Sequence, residues 1–489
     1  MTILKVVWDL FGVEPPRSSN ILSLLFGLGI LGLVWLFMLR MNLPRKLEGA
    51  RTPLLALVLL GTVTNRTFLT WLSSGLETAL FNFLLIWWVY EGLTDPLKRT
   101  SGWVFRFTLA ASLAALARPD GYLAWLATFV ILVKLYLSAE KRVHIHLAIP
   151  VLAAVPLHMV WRQFTYGTWL PNTYYAKSDS FWPESGVRYL GSFLLENGFW
   201  FLVILLCLVL ALSLHRIKKE VRSGRKVTLS LHLLLDEKGL VLGTLLAHFS
   251  YYTFAIGGDH FEYRVYSHLI PLGFILAAWT VARLSHRATL VLALLSLIVI
   301  LSYPIPWTHW RETKDLTTRK DTQMMVIPIA HKFPYPIRPA VRAWDSWQEW
   351  LIRHYVCMRH QEHKVFFLWM ESQFPTRAEG KKASWEDRNV LATMAIGTVG
   401  WTFPEVAIID KLGLTDGVVA RSPLDLVNGE KMMAHARKPP PGYLECFRPN
   451  FFLGVSKPEG DWELRSRYTP RSNLLTDAEI IACEARAWW

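Results

Sequence analysis

The chain has 489 residues, 52% of them apolar and only 18% charged, with a mean hydropathy of +0.27. Soluble domains carry about 25% charged residues, so an ordinary soluble multidomain protein is excluded. The formal net charge of +14 has a topological explanation, because cytoplasmic loops of membrane proteins collect Lys and Arg; no soluble stretch joins a basic cluster to a reading motif, which argues against a nucleic-acid partner.

Residues 1–12 (MTILKVVWDLFG) are apolar and look like the end of a helix. From residue 20 to 304 the chain consists of long apolar runs with charge confined to the gaps. A spanning helix needs about 20 mostly apolar residues. Candidates fall at 20–40, 53–72, 75–92, 102–117, 120–138, 146–162, 192–214, 238–256, 266–283 and 288–304. Arg45, Lys46 and Arg51 follow the first segment, Lys98 and Arg99 the third, and Lys141 and Arg142 the fifth. Arg216, Lys218, Lys219, Arg222, Arg225 and Lys226 follow the seventh, and Arg283 and Arg287 the ninth. Every second loop is therefore basic, which assigns those loops to the cytoplasm. The alternate loops near 73, 118, 163–190 and 257–265 face outward, as do Met1 and residues 305–489. The expected fold is a polytopic α-helical membrane protein of about ten transmembrane helices, with a membrane domain over 1–304 and an extracytoplasmic α/β domain over 305–489.

In that outer domain, residues 392–410 read as strands, with Thr398, Val399, Val406, Ile408 and Ile409 among polar and Pro punctuation. Glu349 to His360 reads as a helix. Cys207 lies in an apolar segment and reads as a buried small hydrophobe; Cys357, Cys446 and Cys483 lack CxxC spacing, which argues against a metal site and allows one disulfide on an oxidising side. No cleavable signal peptide is visible.

The outward loops carry the unusual residues. Ser74-Gly75-Leu76-Glu77-Thr78 reads either as a capping box, with Glu77 returning to the Ser74 amide, or as part of a site. In Arg118-Pro119-Asp120-Gly121, Pro119 and Asp120 are ordinary helix-start residues. Arg118 is not: it is costly at membrane depth unless paired or facing water, and its planar fork suits a phosphate. The stretch 166–177 reads equally as an interfacial aromatic belt with a snorkelling Lys177 or as a sugar- or phosphate-binding loop using Asn172, Tyr174, Tyr175 and Lys177. In 257–264, Gly257 and Gly258 permit a sharp turn, and Asp259, His260, Glu262 and Arg264 crowd behind it. A structural Asp259–Arg264 pair and a site for a phosphorylated or polyhydroxylated ligand both fit.

Polar clusters are nearly absent within the apolar segments, whereas secondary transporters bind near the bilayer midplane. The layout suits an enzyme at the outer lipid–water boundary, with a transporter or flippase as the competing class. No P-loop, GxGxxG, HExxH or GxSxG set is present. The outer carboxylates are too scattered to define an oxygen-ligand set, so a divalent metal stays open.

These clusters, in this order, resemble the polytopic glycosyltransferases of the GT-C class. The nearest likeness is to the terminal arabinofuranosyltransferases of mycobacterial cell-wall arabinan, with the pilin arabinosyltransferases more distant. The matching stretches are SGLETALF at 74–81, ARPDGYL at 117–123, YGTWLPNTYYAKS at 166–178, GGDHFEYRVYSHLIP at 257–271 and IGTVGWTFPEVAIIDKLGLTDGVVAR at 396–421. The resemblance implies a multi-pass protein of the bacterial cytoplasmic membrane that moves a sugar, arabinofuranose in that family, from a polyprenyl-phosphate donor to a glycan, lipid or protein acceptor outside the membrane. Arg118, Lys177 and Arg264 are then the candidate cations for the departing phosphate. The family carries an acidic motif in its first outer loop, after an initial helix, and that Asp is the expected base. Between Met1 and the segment at 20–40 the only acids here are Asp9 and Glu14. The expectation is therefore a chain lacking that helix and acidic loop, with Asp259 as the alternative base, or a non-catalytic relative that binds a lipid-linked glycan.

Overall fold

The computed structural model describes residues 2–94, 99–137, 144–177, 181–222, 236–382, 389–426, 430–434, 436–450 and 476–486. Lys98, Lys141, Arg142, Arg225 and Lys226 of the predicted cytoplasmic loops, and Ser178, lie outside these residues. Helix α1 (Thr2–Phe11) leads into α2 (Pro15–Arg40), which opens on a proline pair. A 3-10 turn at Arg45–Ala50 runs into α3 (Arg51–Thr64), followed by α4 (Arg66–Ser73) and α5 (Thr78–Gly92). Next come α6 (Ser101–Ala117), α7 (Tyr122–Leu137), α8 (Ile149–Tyr166), α9 (Asn172–Lys177), α10 (Pro183–Glu196) and α11 (Phe199–Arg222). Helix α12 (Glu237–Ser250) widens into a π turn at Tyr251–Ile256, and α13 (Leu269–Leu284), α14 (Ala288–Leu301) and α15 (Pro304–Thr313) follow.

Among the described residues, seven helical stretches are long and apolar enough to cross a membrane: 15–40, 45–64, 119–137, 145–166, 199–219, 237–256 and 288–313. Helices α4 and α5 form a pair bent by 116°, and α6 and α13 are shorter apolar helices. These three fill the remaining places of the predicted segments, but the expected helix over 53–72 is in fact two. Asn65 divides it: its backbone is extended, and its side chain accepts the Phe68 N–H at 3.0 Å to cap α4. Small residues let the helices approach closely. Ala110, Ala111, Ala114 and Ala115 of α6 are buried beside α5 and α7. Trp88 donates to Thr128 at 2.8 Å and Asn82 to Ser267 at 2.9 Å, pairing polar groups that lipid would leave unsatisfied. Leu24, Leu25 and Leu28 of α2 and Ile204 and Leu208 of α11 are exposed, as a lipid-facing surface requires.

One end of the bundle is basic. There Glu237 meets Lys134 at 3.0 Å and Arg99 at 3.6 Å, and Arg51 donates to the carbonyls of Met38, Leu39 and Met41. The C-terminal third packs at the other end. It holds α16 (Arg319–Thr322), α17 (Arg338–Arg353), α18 (His360–Ser372), α19 (Arg377–Gly380), α20 (Ile396–Thr402), α21 (Tyr443–Cys446) and α22 (Asp477–Arg486). Strands β1 (Val390–Thr393) and β2 (Ala407–Asp410) pair in parallel, Val390 opposite Ala407 and Thr393 opposite Asp410.

Two sequence expectations need correction here. Thr398 and Val399 are helical, because parallel neighbours need a crossover and α20 supplies it. The helix expected to reach His360 stops at Arg353. Residues 354–359 instead pair with the outer loop: Cys357 N–H donates to Asp259 O at 2.9 Å, Met358 N–H to His260 O at 2.8 Å, and Glu262 N–H to Met358 O at 3.1 Å. Tyr355 and Cys357 adopt positive φ to do so. Leu351, Val356 and Cys357 consequently share one apolar core with Tyr189, Phe193, Tyr263 and Tyr266. Cys446 and Cys483 form a disulfide, while Cys207 and Cys357 are free; Cys357 is buried, and Cys207, expected to be buried, is exposed on α11. Trp8 of α1 meets Trp401 of α20, their ring centroids 5.8 Å apart.

Candidate functional site

The site begins with a turn. Gly257 and Gly258 have φ of +87° and +108°, and both of their N–H groups donate to the Tyr252 carbonyl that the π turn leaves open. Only glycine adopts such values without strain, and a side chain at 258 would strike the Tyr189 ring. The turn delivers Asp259 into a buried position, where Arg264 grips it with Nε–Oδ2 at 2.8 Å and Nη2–Oδ1 at 3.3 Å. Lys177, the last residue of α9, donates to Oδ1 at 3.4 Å.

Arg118 comes from the other half of the membrane bundle. Its backbone is extended, which ends α6, and Gly121 lets the following turn lie directly on the Ala114 carbonyl, where a Cβ would clash. The guanidinium pairs with Asp120 at 2.7 Å, approaches Glu77 at 3.6 Å and lies over the Phe81 ring. Tyr252 ties the two halves together, donating to Asp120 Oδ1 at 2.8 Å and accepting from Arg118 at 3.4 Å. Burial raises the cost of charging Asp259, but Arg264, Lys177 and Arg118 more than offset it, so the carboxyl is held well below the usual range. Burial also pulls the Lys177 ammonium below its ordinary value, against the opposing pull of Asp259.

Arg118, Lys177, Asp259 and Arg264 are thus one electrostatic cluster, and Glu77 and Asp120 belong to it through Arg118. The capping box does not form. Glu77 makes no side-chain capping bond, and Ser74 turns back to the Trp71 carbonyl. Glu77 is instead the most open carboxylate of the cluster, its side chain 42% exposed.

Other expected site residues lie elsewhere. Glu262 is fully buried, with Oε1 between Arg66 and Arg359, each at 3.1 Å, and Oε2 accepting the His360 N–H at 2.9 Å. With no exposed surface and both oxygens engaged, Glu262 has a structural role here, and the substrate-binding role expected for it stays an expectation. His260 Nδ1 lies 2.8 Å from the Tyr355 carbonyl, and its ring packs beside Phe261 and His363. Asn172 docks the α9 loop on the C-terminal third, donating to Thr415 O at 3.0 Å. Tyr175 lies under the Arg421 guanidinium, 4.0 Å from its centroid, while Tyr174 is exposed.

Sequence reasoning missed Tyr252 and His248, because both sit inside an apolar segment. Their i, i+4 spacing puts them on one helix face, a signal that was available. His248 Nε2 lies 3.8 Å from Asp120, and His248 and His268 have ring centroids 5.0 Å apart. Among the described residues, no group of three or more His, Cys, Asp or Glu is placed to hold a metal ion. Comparison with known proteins finds no matching family model, curated protein or solved structure.

Proposed function

We propose that the chain moves a sugar from a polyprenyl-phosphate donor to a glycan, lipid or protein acceptor on the outer side of the bacterial cytoplasmic membrane. The observation that carries this reading is the meeting of Arg118, Lys177 and Arg264, from three loops far apart in sequence, around buried Asp259. Glycosyl transfer from a phosphate breaks the C–O bond with its electron pair going to phosphate. Clustered cations at the mouths of apolar helices suit that leaving group while its prenyl tail stays in lipid. In this reading the bent pair, α6 and α13 complete a ten-pass bundle with the seven long spans. The Cys446–Cys483 disulfide suits an oxidising outer compartment.

Arg118 and Arg264 take the phosphate oxygens and Lys177 adds a third charge. Asp259 holds Lys177 and Arg264 in place. A general base works best with a pKa near the operating pH, and a carboxylate so strongly ion-paired is far from it. Glu77 is the carboxylate with room to take the acceptor hydroxyl proton as the acceptor oxygen bonds to the sugar carbon. The same engagement of Asp259 favours one second reading, a non-catalytic protein that binds a lipid-linked glycan.

Donor binding and sugar transfer by the purified chain, with polyprenyl-phosphate arabinofuranose as the first probe, separate the two. Binding with transfer that Glu77→Gln abolishes is the expected result. Binding without transfer selects the second reading. Donor affinity unchanged in both Arg118→Lys and Arg264→Lys removes both arginines from the site and overturns the proposal.

A further inference from the structure

A second feature lies toward the basic end of the bundle. A groove of about 1250 Å³ runs between α11 and α12, floored by α13 from Leu269 to Arg283. At 1.5 Å per residue that floor is about 22 Å long, most of the ~30 Å apolar thickness of a bilayer. Its walls are mostly apolar, with Phe199 and Leu202 on one side and Leu242 and Leu245 on the other, and Asn42, Glu48 and Thr94 also line it. Its lining also includes Arg40, Arg51, Arg106, Lys238 and Arg283, each near a helix terminus at the basic end.

Those cations are not equally satisfied. Arg51 is taken by Glu48 at 2.9 Å and Arg106 by Glu91 at 2.7 Å. Arg40 lies over the Tyr90 ring and reaches only the Thr94 hydroxyl at 3.3 Å; Arg283 lies over Trp279. Arg40, Lys238 and Arg283 have no carboxylate partner among the described residues, and all three are exposed.

We infer that this groove is a binding site for an anionic glycerophospholipid, its acyl chain along α13 and its phosphate among Arg40, Lys238 and Arg283. The two halves of the feature demand the two halves of such a molecule. A neutral lipid would cover the apolar walls and leave three cations without a counter-charge. A free phosphate would do the reverse. The donor lipid fits less well, because its phosphate belongs at Arg118 and Arg264 and neither residue lines the groove. The inference rests on the membrane-spanning reading, and only its exclusion of the donor lipid draws on the proposed transfer reaction.

The test uses the full chain in mild detergent, with dioleoyl phosphatidylglycerol and dioleoyl phosphatidylcholine as probes. Bound lipid is counted by native mass spectrometry and thermal stability followed in parallel. The expected result is binding of the anionic lipid on the order of 100-fold tighter than that of phosphatidylcholine. Arg40→Gln/Lys238→Gln/Arg283→Gln should weaken it on the order of 100-fold, to the level of phosphatidylcholine, since each surface cation contributes comparably. Leu276→Trp fills the groove without touching a charge and should displace both lipids. It decides the matter if the triple variant does not fold. Equal affinity for the two lipids, an anionic preference that survives the triple variant, or binding unaffected by Leu276→Trp overturns the inference. So does a preference abolished by Arg118→Lys instead, which would move the lipid to the outer site.

Discussion

Asp259 and Glu262 stand three residues apart in one loop, and each anchors a buried cluster of carboxylate and guanidinium. The Glu262 cluster is closed. Arg359 holds Glu196 through both terminal nitrogens at 2.9 Å and also reaches Glu262, Arg66 takes the other side of Glu262, and Trp344 donates to Glu196 at 3.1 Å. Glu196 and Glu262 have no exposed surface, and Arg66 and Arg359 almost none. The Asp259 cluster is open: Lys177 keeps 21% of its side-chain surface and Arg264 12%. Lys177 spends one of its three donors on a long bond, and Arg264 turns only Nε and Nη2 to Asp259. Burial of charge alone does not mark a site. Donors not turned to a carboxylate, beside a partly exposed cation, are what make the Asp259 cluster the candidate.

The sharpest way to break this comparison is to remove a charge from each cluster. Arg359→Met leaves buried Glu196 without a cation and Glu262 with Arg66 alone, and breaking a buried pair in this way costs about 3–5 kcal/mol. Loss of a monodisperse, cooperatively unfolding protein in detergent is expected. Arg264→Lys keeps a cation beside Asp259 and should cost less than about 1.5 kcal/mol. Thermal unfolding of the two variants checks the pair. A stable Arg359→Met beside an unfolded Arg264→Lys would reverse the assignment of the closed and open clusters.

The next effect is on ligand binding. A guanidinium holds two phosphate oxygens where an ammonium acts as a point charge, and a hydrogen bond to a charged group contributes about 1.5–3 kcal/mol. Arg118→Lys should therefore weaken polyprenyl-phosphate binding roughly 10- to 100-fold while leaving the melting temperature close to wild type. Isothermal titration with the lipid phosphate reads this directly.

Asp259 supplies a smaller, pH-resolved effect. Its folded pKa lies below the unfolded value of about 3.9. Its contribution to stability is thus fully present above that value and is lost only as the pH falls through the lower folded pKa. The melting-temperature difference between wild type and Asp259→Asn should stay flat from about pH 5 to pH 8 and shrink only in stronger acid. A transfer-rate limb near neutral pH that vanishes in Asp259→Asn would instead make this carboxylate the base.

The apolar runs and alternating basic loops made the helices and their two ends legible, since length and hydropathy are properties of a segment by itself. The same holds for Gly257-Gly258, whose turn the dipeptide announces. What stayed hidden depends on partners. Nothing local in Glu262 reveals that Arg66 and Arg359 close over it from 196 and 97 positions away. The capping-box pattern at Ser74 and Glu77 was real as a pattern, but the bend between α4 and α5 turned Glu77 to Arg118 instead. Tyr252 was masked by its apolar surroundings, and the helix over 349–360 was cut short by backbone pairing with a loop a hundred residues earlier.

The smallest effect tests whether the α9 loop is set by the C-terminal third. Asn172 donates to Thr415 O at 3.0 Å and lies 3.5 Å from Arg421, which also covers Tyr175. Arg437 reaches the Tyr175 carbonyl at 3.4 Å. These contacts hold α9 where Lys177 can reach Asp259, so the C-terminal third positions a cation of the candidate site. Asn172→Ala removes the bond to the Thr415 carbonyl, worth about 0.5–1.5 kcal/mol, and the long one accepted from Arg421, at a partly exposed position. Global stability should hardly change. Lys177 should sample more orientations, and donor affinity should fall by roughly twofold to tenfold with little change in the rate of a bound donor. Lys177→Ala in the same assay sets the ceiling, and adding Asn172→Ala to it should then have no further effect. Independent, additive losses from the two substitutions would show that Asn172 contacts the donor itself and that the loop is not held for the sake of Lys177.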